Sequence, residues 1–369
     1  MLQGKFKVII AGGGTGGHLY PAIALAKEIE RRFTKSEILF IGTSRGIEAK
    51  VIPEMGYRLK LIWVKGFQRK FSFGNFLLPV QVIVSFFQCA ITILTFKPSM
   101  VIGTGGYVSG PVLFIAALLR FPTIIQEQNS YPGVSTRLLS PFVDQVHLSF
   151  EESIKFFKNT NKVFISGNPI RSTLKTFRRK DAVSNLKIDG NKKTLLIFGG
   201  SQGAHSINFA ILKIIEQVMK NQSWQIIWGS GEMDLKIIKK SCEKFGSRIL
   251  VKPFITDMAS VYAVTDLVIS RAGATTLAEL QVCGLPVILV PYPFAAAGHQ
   301  EANARALVKQ NAAEMVLNNE LESDKFLNTL LMLMEDEAKR KSLGSNLKTL
   351  ARPDAAQKII EKMLSLNIQ

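Results

Sequence analysis

Short apolar runs alternate with longer amphipathic stretches along the first half of the chain. Residues 5–11 fit a strand, residues 20–33 a helix and residues 37–41 a second strand. Further strands are predicted at residues 59–64, 100–102, 123–126, 145–148 and 162–166. Strands that alternate with helices in this way favour a parallel sheet with helices on both faces.

The alternation stops at a Gly/Pro break and then restarts. The sequence Gly-Asn-Pro-Ile-Arg at 167–171 is followed by a polar run at 175–193. Strands are then predicted at residues 194–198, 224–228, 249–251, 267–270 and 287–290. The repeated pattern predicts a doubly wound parallel sheet in each half of the chain, and therefore two α/β domains.

A second break marks the C-terminal segment. Arg-Pro-Asp at 352–354 precedes a last amphipathic helix at 355–366. The predicted domains are residues 1–166 and 167–352, and the C-terminal helix at 353–369 is predicted to pack back on the first domain.

A long stretch without charged residues is long enough to span a bilayer. Polar side chains nevertheless recur within it at intervals of three and four residues, at Gln81, Ser85, Gln88, Thr92 and Thr95. This spacing places a polar stripe along one side of a helix, which a membrane-spanning helix does not need. The favoured interpretation is a Phe71–Phe96 helix half buried in its domain, and the alternative is a fully buried core helix.

The charge balance is strongly basic, with 46 Lys and Arg against 28 Asp and Glu and a net charge of +18. Such a surface suits nucleic acid, anionic lipid or a phosphorylated ligand, or reflects a generally basic proteome. Lys65, Arg69 and Lys70 lie just before the apolar helix. This basic collar and the apolar edge of the helix together predict contact with an anionic membrane surface.

Composition also limits the class of protein. An apolar content of 47% with 20% charged residues is typical of a globular protein. Cys89, Cys242 and Cys283 are widely separated, which argues against a disulfide framework or a thiolate metal site and favours a reducing compartment. No signal-peptide pattern precedes the first strand, so we expect the protein in the cytosol or on the cytosolic face of the membrane.

Two glycine-rich turns each follow a strand and open a helix, at residues 11–18 and 199–204. Backbone N–H groups at the positive end of a helix dipole suit an anionic phosphate. The first turn also matches the dinucleotide fingerprint Gly-x-Gly-x-x-Gly. However, residues 41–44 at the end of the second strand carry no carboxylate to hold a ribose, so an NAD enzyme is disfavoured.

Candidate catalytic groups follow the strands of the first half. His18 falls in the first turn of a helix, directly after the first glycine turn, and is a candidate general base. Residues 103–111 form a further glycine-dense turn. Glu127 and Asn129 follow another strand. Carboxyl ends of parallel strands share one sheet edge, so these groups are predicted to line a common cleft.

The second half carries features that suit a nucleotide and a sugar. Small residues at 270–276 allow a nucleotide to approach a helix N-terminus. The carboxylate of Glu279, one turn later, can accept hydrogen bonds from two ribose hydroxyls. The amides at 299–303 suit sugar hydroxyls. The acidic cluster at 335–337 follows a helix and is interpreted as a solvated face, so no metal site is predicted.

Taken together, these segments resemble the MurG family of N-acetylglucosaminyltransferases. The matching segments cover almost the whole chain in the family's order, at residues 13–18, 105–111, 127–129, 167–171, 199–204 and 270–279. The resemblance implies the GT-B fold, in which two Rossmann-like, doubly wound parallel-sheet domains face each other across a cleft.

The resemblance also implies roles for individual residues. Arg171 and Ser201 are expected at the UDP diphosphate, and Ile255 at the uracil. His299 and Gln300 are expected at the sugar hydroxyls. The nucleotide is expected to lie along the run that ends in the ribose ligand Glu279, namely Ala274, Thr275, Thr276, Leu277, Ala278 and Glu279.

The N-terminal domain is expected to carry the chemistry and the acceptor. His18 is the expected base, and Glu127 is a second candidate catalytic carboxylate. Donor contacts are expected at Thr15, Gly16, Gly17 and Asn129, and the acceptor-side loop comprises Gly105, Gly106 and Tyr107. One departure from the family lies at 295–298, where relatives often carry an acidic residue and an asparagine and this chain has Ala-Ala-Ala-Gly.

The resemblance implies a hexosyltransferase of peptidoglycan synthesis. It would move GlcNAc from UDP-GlcNAc to the C4 hydroxyl of MurNAc in undecaprenyl-diphospho-MurNAc-pentapeptide (lipid I to lipid II), with inversion. No metal, cofactor or nucleic acid is expected, and the enzyme is expected to be peripheral on the cytoplasmic face of the cell membrane. The alternatives are another UDP-GlcNAc-using GT-B enzyme, such as one with a different acceptor or an epimerase, and a non-catalytic membrane scaffold.

Overall fold

A computed structural model describes residues 2–65, 78–170, 174, 178–200 and 203–366. The chain divides into two compact units. Unit 1 comprises Met1–Ile170 and Arg352–Gln369, and unit 2 comprises Arg171–Ala351. The first unit extends four residues past the predicted junction because the N–H groups of Ser166 and Gly167 both bond the carbonyl of Leu148 in its sheet.

The described strands of unit 1 form a seven-stranded parallel sheet in the order β3-β2-β1-β4-β5-β6-β7. Their bounds are β1 Leu2–Gly12, β2 Phe33–Gly42, β3 Arg58–Leu61, β4 Met100–Gly105, β5 Thr123–Glu127, β6 Gln145–Leu148 and β7 Val163–Ile165. Val8 of β1 lies between Ile38 and Met100 of its two neighbours, so the central strand pairs on both sides.

Helices cover both faces of this sheet. They are α1 Gly16–Arg32, α2 Glu48–Glu54, α3 Leu78–Phe96, α4 Ser109–Leu118 and α5 Val134–Leu139. Successive residues of β1 point to opposite faces, so Ile9 packs with α3 and α4 while Val8 and Ile10 pack with α1. This double-sided burial explains why central strands such as β4 and β5 carry no charged residue before their carboxyl ends.

Unit 2 has the same architecture. Its described strands form a six-stranded parallel sheet in the order β10-β9-β8-β11-β12-β13. The strands are β8 Lys193–Phe198, β9 Trp224–Gly229, β10 Ile249–Lys252, β11 Leu267–Ser270, β12 Val287–Leu289 and β13 Glu314–Met315. The helices are α6 Arg179–Leu186, α7 His205–Met219, α8 Leu235–Cys242, α9 Met258–Val264, α10 Ala274–Cys283, α11 His299–Lys309, α12 Asp324–Glu335 and α13 Glu337–Thr349. The prediction of two parallel-sheet α/β halves is confirmed.

The last helix, α14 (Ala355–Met363), belongs to unit 1. Ile359, Ile360 and Met363 are buried in the same cluster as β1 and α1. Arg32 at the end of α1 bonds Glu361 at 2.8 Å, and the Gln145 amide donates to the Lys362 carbonyl at 2.9 Å. The helix therefore completes the core of a domain that begins more than 300 residues earlier.

Helix α3 presents its apolar side outward. Gln81 and Ser85 are buried, whereas Phe87 is 67% exposed and Ile91 is 64% exposed. The buried Ser85 hydroxyl donates to the Val82 carbonyl of its own helix, which satisfies it without water. The stripe lies mainly on the buried side, since Thr92 is also buried, whereas Gln88 is half-buried and Thr95 is exposed. The fully buried alternative is wrong. The segment 66–77, which includes the predicted start of this helix together with Arg69 and Lys70, lies outside the described residues.

The acidic cluster at 335–337 has a structural role. Asp336 caps α13 by accepting a hydrogen bond from the Lys339 N–H at 2.8 Å. Glu337 forms ion pairs with Lys193 and Lys341 on the surface. The prediction of a solvated face at this position is confirmed.

Substitution of Ile359 by Ala should destabilise unit 1 specifically. Loss of a fully buried Ile side chain costs about 2–5 kcal/mol. Native-state hydrogen exchange of the β1 and α1 amides should report this loss, because it measures the opening of unit 1 separately from unit 2. The exposed neighbour Gln357→Ala is the control, with an expected change within about 0.5 kcal/mol. Equal exchange in both variants would contradict a core role for α14.

Candidate functional site

Both sheets have a point at which the strand order reverses. In unit 1 it lies between β1 and β4, and in unit 2 between β8 and β11. Ligands of open α/β sheets bind at the carboxyl ends of the strands at such points. Predicted site residues among those that the structure describes follow the strands at these two edges.

A buried carboxylate anchors the first glycine turn through hydrogen bonds. Glu48 of α2 accepts hydrogen bonds from the Gly14 N–H at 2.8 Å and from the Thr43 N–H at 2.9 Å. The Thr43 hydroxyl donates to the same carboxylate at 3.0 Å and lies 3.2 Å from the Tyr107 hydroxyl. The Gly14 N–H therefore already has an acceptor within the protein. One fewer backbone N–H group of this turn is left to bind an anion. Sequence analysis missed Glu48 because it lies in a helix, 34 residues from its partner Gly14.

Thr15, Gly16 and Gly17 form the start of α1, four residues earlier than the predicted helix start. Thr15 and Gly17 are exposed, and the Thr15 carbonyl accepts the N–H groups of His18 and Leu19. These three residues therefore present the helix N-terminus to solvent at the reversal point.

His18 lies between β1, β4 and β5. Its Nδ1 is 3.1 Å from the Thr104 carbonyl oxygen and 2.8 Å from Gln128 Oε1. The Thr104 hydroxyl in turn donates to the His18 carbonyl at 2.9 Å. A Cβ at Gly105, whose φ is +100°, would lie 2.6 Å from His18 Nδ1. Glycine is therefore required at 105 for the imidazole to approach β4.

Gly106 and Tyr107 continue the turn after β4. Gly106 has a φ of +80°, and Tyr107 is half-buried and in contact with Thr43 as described above. Together with Gly105 they bring the third predicted loop to the same edge as His18.

Glu127 is buried, with 3% of its surface exposed, and is surrounded by donors. One oxygen accepts from the N–H of Asn129 at 3.1 Å and from its side-chain amide at 3.3 Å. The other accepts from the Gly133 N–H at 3.0 Å and the Thr136 hydroxyl at 2.7 Å. The carboxylate thus anchors the loop that carries Asn129, which is half-buried. This geometry favours a positioning role over direct catalysis.

In unit 2, Glu279 lies on α10 close to the reversal point. Its Oε2 accepts a hydrogen bond from the Tyr262 hydroxyl at 3.1 Å, and the carboxylate is buried. Ala274, Thr275 and Thr276 form the first turn of this helix.

The side chains of Leu277 and Ala278 are buried. They belong to the core of unit 2, so these two side chains are not exposed for contact with a ligand. Ile255 is also buried and follows the end of β10 by three residues, which leaves its backbone at the carboxyl edge.

His299 and Gln300 open α11. His299 Nδ1 lies 2.7 Å from the Ala296 carbonyl, and Gln300 Oε1 accepts from the Tyr292 N–H at 3.0 Å. The preceding Ala297 and Gly298 both have positive φ, so the segment that was expected to depart from the family folds as a tight turn.

Arg271 is a residue whose role sequence analysis missed. Its guanidinium donates to the carbonyls of Val290 and Pro291, each at 3.1 Å, and to the Ser206 hydroxyl at 2.8 Å. Burial lowers its pKa to about 10. One side chain thus ties together the ends of β11 and β12 and the first turn of α7.

Two remaining predicted contacts, Arg171 and Ser201, lie outside the described residues. Within the described ranges, no group of three His, Cys, Asp or Glu residues could hold a metal ion.

Comparison with known proteins places both units in one family. Residues 8–148 match the glycosyltransferase family 28 N-terminal domain, and residues 194–359 match the family 28 C-terminal domain. A UDP-N-acetylglucosamine–N-acetylmuramyl-(pentapeptide) pyrophosphoryl-undecaprenol N-acetylglucosamine transferase from Desulforamulus reducens is 41% identical, over 96% of this chain and 97% of its own length. The transferase of the same name from Prosthecochloris aestuarii is 42% identical, over 97% and 98%.

Solved structures agree with this assignment. Acinetobacter baumannii MurG superposes with a TM-score of 0.78 at 26% identity, over 98% of this chain and 100% of its own. A UDP-GlcNAc 2-epimerase from Neisseria meningitidis gives a TM-score of 0.69 at 14% identity, over 98% and 100%, which is a likeness of fold alone. The predicted GT-B fold is confirmed. The chain therefore belongs to glycosyltransferase family 28, among the UDP-N-acetylglucosamine–N-acetylmuramyl-(pentapeptide) pyrophosphoryl-undecaprenol N-acetylglucosamine transferases.

Proposed function

We propose that this chain is a hexosyltransferase that moves GlcNAc from UDP-GlcNAc to the C4 hydroxyl of MurNAc in undecaprenyl-diphospho-MurNAc-pentapeptide. This is the conversion of lipid I to lipid II in peptidoglycan synthesis. The observation that carries the proposal is the match to transferases of that name, at 41–42% identity over at least 96% of the chain. The epimerase alternative is supported only by a likeness of fold.

Unit 2 is proposed to hold the donor. The Glu279 carboxylate is already oriented by the Tyr262 hydroxyl and would accept hydrogen bonds from the ribose hydroxyls. The backbone at Ile255 would contact the uracil. The first turn of α10 would face the nucleotide, and His299 and Gln300 would bind the sugar. Arg171 and Ser201 are proposed at the diphosphate. Negative charge that develops there would be stabilised by helix N-termini.

Unit 1 is proposed to supply the base. Nε2 of His18 would take the proton of the acceptor C4 hydroxyl, whose oxygen attacks the anomeric carbon of GlcNAc from the face opposite UDP. The new glycosidic bond forms as the bond from the anomeric carbon to the diphosphate oxygen breaks. UDP leaves with the electron pair, and the anomeric configuration inverts.

Transfer of radiolabelled GlcNAc to a short-chain lipid I analogue tests this function. Substitution of His18 by Ala should lower kcat by about 10²–10⁴-fold, because a general base is lost, with nearly unchanged donor KM. His205→Ala is the control, because that exposed side chain packs against Phe209 and Asp234. UDP binding without transfer by the native protein would instead indicate a different acceptor.

Substitution of Glu127 by Gln tests whether this carboxylate positions a loop or takes part in the chemistry. Loss of one hydrogen bond to a charged acceptor costs about 1.5–3 kcal/mol, so exchange at the Asn129 or Gly133 amide should accelerate about 10- to 100-fold. Hydrogen exchange is the measurement, and Glu151→Gln in an exposed position is the matched control. Unchanged loop exchange with a collapsed kcat would assign Glu127 to the chemistry.

We also propose that the outward apolar face of α3 attaches the enzyme peripherally to the cytoplasmic face of the membrane. Ring contacts from Phe86 to Phe114 and from Phe114 to Phe142 connect α3 with α4 and the segment after α5. The exposed apolar side chains of this surface are Val80, Ile83, Phe87, Ile91, Leu94, Leu118, Leu138 and Phe142. Lys65 lies nearby in sequence and would contact anionic headgroups, as would Arg69 and Lys70.

An attachment in the plane of the membrane is favoured over a membrane span. The window Pro79–Phe96 is long and apolar enough to cross a bilayer, with a mean hydropathy of 1.8. However, its buried side packs Gln81, Ser85 and Cys89 into unit 1. Exposure of that side to lipid would require the core of the unit to open.

The double variant Phe87→Glu/Ile91→Glu should bind phosphatidylglycerol vesicles at least about tenfold more weakly than the native chain. Two apolar side chains that would enter lipid are replaced by charges, and each contributes about 1.5–3 kcal/mol when buried. Vesicle co-sedimentation measures the binding. Phe294→Glu, at an exposed Phe of unit 2, is the control. Native-like sedimentation of the double variant would place the membrane contact elsewhere.

A further inference from the structure

We propose that Gln128 is the positioning residue that fixes His18 in its Nδ1–H tautomer and so leaves Nε2 as the basic nitrogen. The inference rests on the proposed function only for its catalytic consequence, because the tautomer itself can be measured without substrate. Gln128 lies between the two predicted residues Glu127 and Asn129, directly after β5.

The contacts of His18 Nδ1 determine which imidazole nitrogen carries the proton. Nδ1 faces two oxygens, the Thr104 carbonyl at 3.1 Å and Gln128 Oε1 at 2.8 Å. Both oxygens can only accept, so Nδ1 must be the donor. In a neutral imidazole the other nitrogen then carries the lone pair. Across the described residues, no hydrogen bond to His18 Nε2 is formed, so that nitrogen is available to a ligand.

The orientation of the Gln128 amide is set by the acceptors around its nitrogen. Its Nε2 donates to the Thr104 carbonyl at 2.7 Å, to the Gln126 carbonyl at 3.1 Å and to Gln126 Oε1. A flipped amide would direct an oxygen at these three acceptors, which is strongly unfavourable for a side chain that is 2% exposed. The surrounding acceptors therefore direct Oε1 towards His18.

The Gln126 amide is itself oriented by hydrogen bonds. Its amide nitrogen lies 3.3 Å from the Ser149 hydroxyl and 3.4 Å from Asn168 Oδ1, which leaves its oxygen for Gln128. Ser149 donates in turn to the Glu127 carbonyl at 3.0 Å. The orientation is thus transmitted through a buried chain of amides from the end of β6 to the imidazole. Such closed networks fix a single arrangement of donors and acceptors.

The consequence for the reaction is a base prepared before the acceptor binds. With Nδ1 protonated and bonded, Nε2 can take the C4 hydroxyl proton, and the imidazolium that forms keeps both acceptors at Nδ1. Loss of the correct tautomer removes a base even when the ring stays in place, as known for the Asp–His pair of serine proteases. Gln128 contacts the base and not the substrate, so its effect should fall on kcat.

Nitrogen-15 NMR of the full chain with labelled histidine tests the proposal directly. The chain has four histidines, and His18→Ala identifies the His18 signals. At a pH where the imidazole is neutral, the native spectrum should show His18 Nδ1 protonated and Nε2 unprotonated. Gln128→Met keeps the length of the side chain and removes the nearer of the two acceptors at Nδ1. Only the longer contact to the Thr104 carbonyl remains, so His18 should shift from the Nδ1–H form to a mixture of tautomers.

Gln145→Met is the matched control. Gln145 is a similarly buried glutamine on the adjacent strand, and its Oε1 lies 3.1 Å from Nε2 of His147. This variant should change the His147 signals and leave those of His18 unchanged. Gln128→Met removes the amide that donates to the buried carbonyls of Thr104 and Gln126. Gln128→Ala, whose smaller side chain leaves room for water to donate to these carbonyls, is the second variant if the first does not fold.

Kinetics complete the test. Gln128→Met should lower kcat about a hundredfold, with donor KM within about twofold of the native value. An Nε2–H tautomer in the native chain would overturn the proposal, as would an unchanged Nδ1–H tautomer in both Gln128 variants. A tautomer change in a chain that transfers no GlcNAc would uphold the positioning role and reject the proposed function.

Discussion

The carboxyl edge of the sheet in unit 1 depends on buried polar groups that satisfy one another. Glu48 binds the glycine turn, Glu127 binds its own loop, and Gln128 joins His18 to the amide chain behind it. Each of these side chains would be costly to bury alone. Because their donors and acceptors are matched, the glycine-rich loops that contain few side chains of their own are held in one conformation. The site is therefore arranged by residues that do not themselves face solvent.

The sequence predicted the central strands well because both of their faces are buried, so these strands are continuous apolar runs bounded by turn residues. The two-residue strand β13 was missed because it has no such run. Helix α1 begins at Gly16 although its glycines are poor helix formers, because tertiary contacts of His18 and Leu19 fix its first turn. Local propensity could not reveal that start.

Within the candidate site, residue type and spacing predicted roles for His18 and Glu279, but did not predict the partners that orient these two side chains. Gln128 and Tyr262 act through contacts across strands and helices that are distant in sequence. The stripe on α3 illustrates the same limit. Its period and the exposed apolar edge of the helix were predicted. The partners of the buried polar side chains were not, because the Ser85 hydroxyl bonds a carbonyl of its own helix.

The contribution of α14 to unit 1 has a consequence for synthesis on the ribosome. Unit 2 is one continuous segment, so it can fold as soon as Ala351 has left the exit tunnel. Unit 1 lacks Ile359, Ile360 and Met363 until the segment that follows unit 2 has been translated. Throughout the synthesis of unit 2, unit 1 therefore carries an open apolar face that chaperones would encounter.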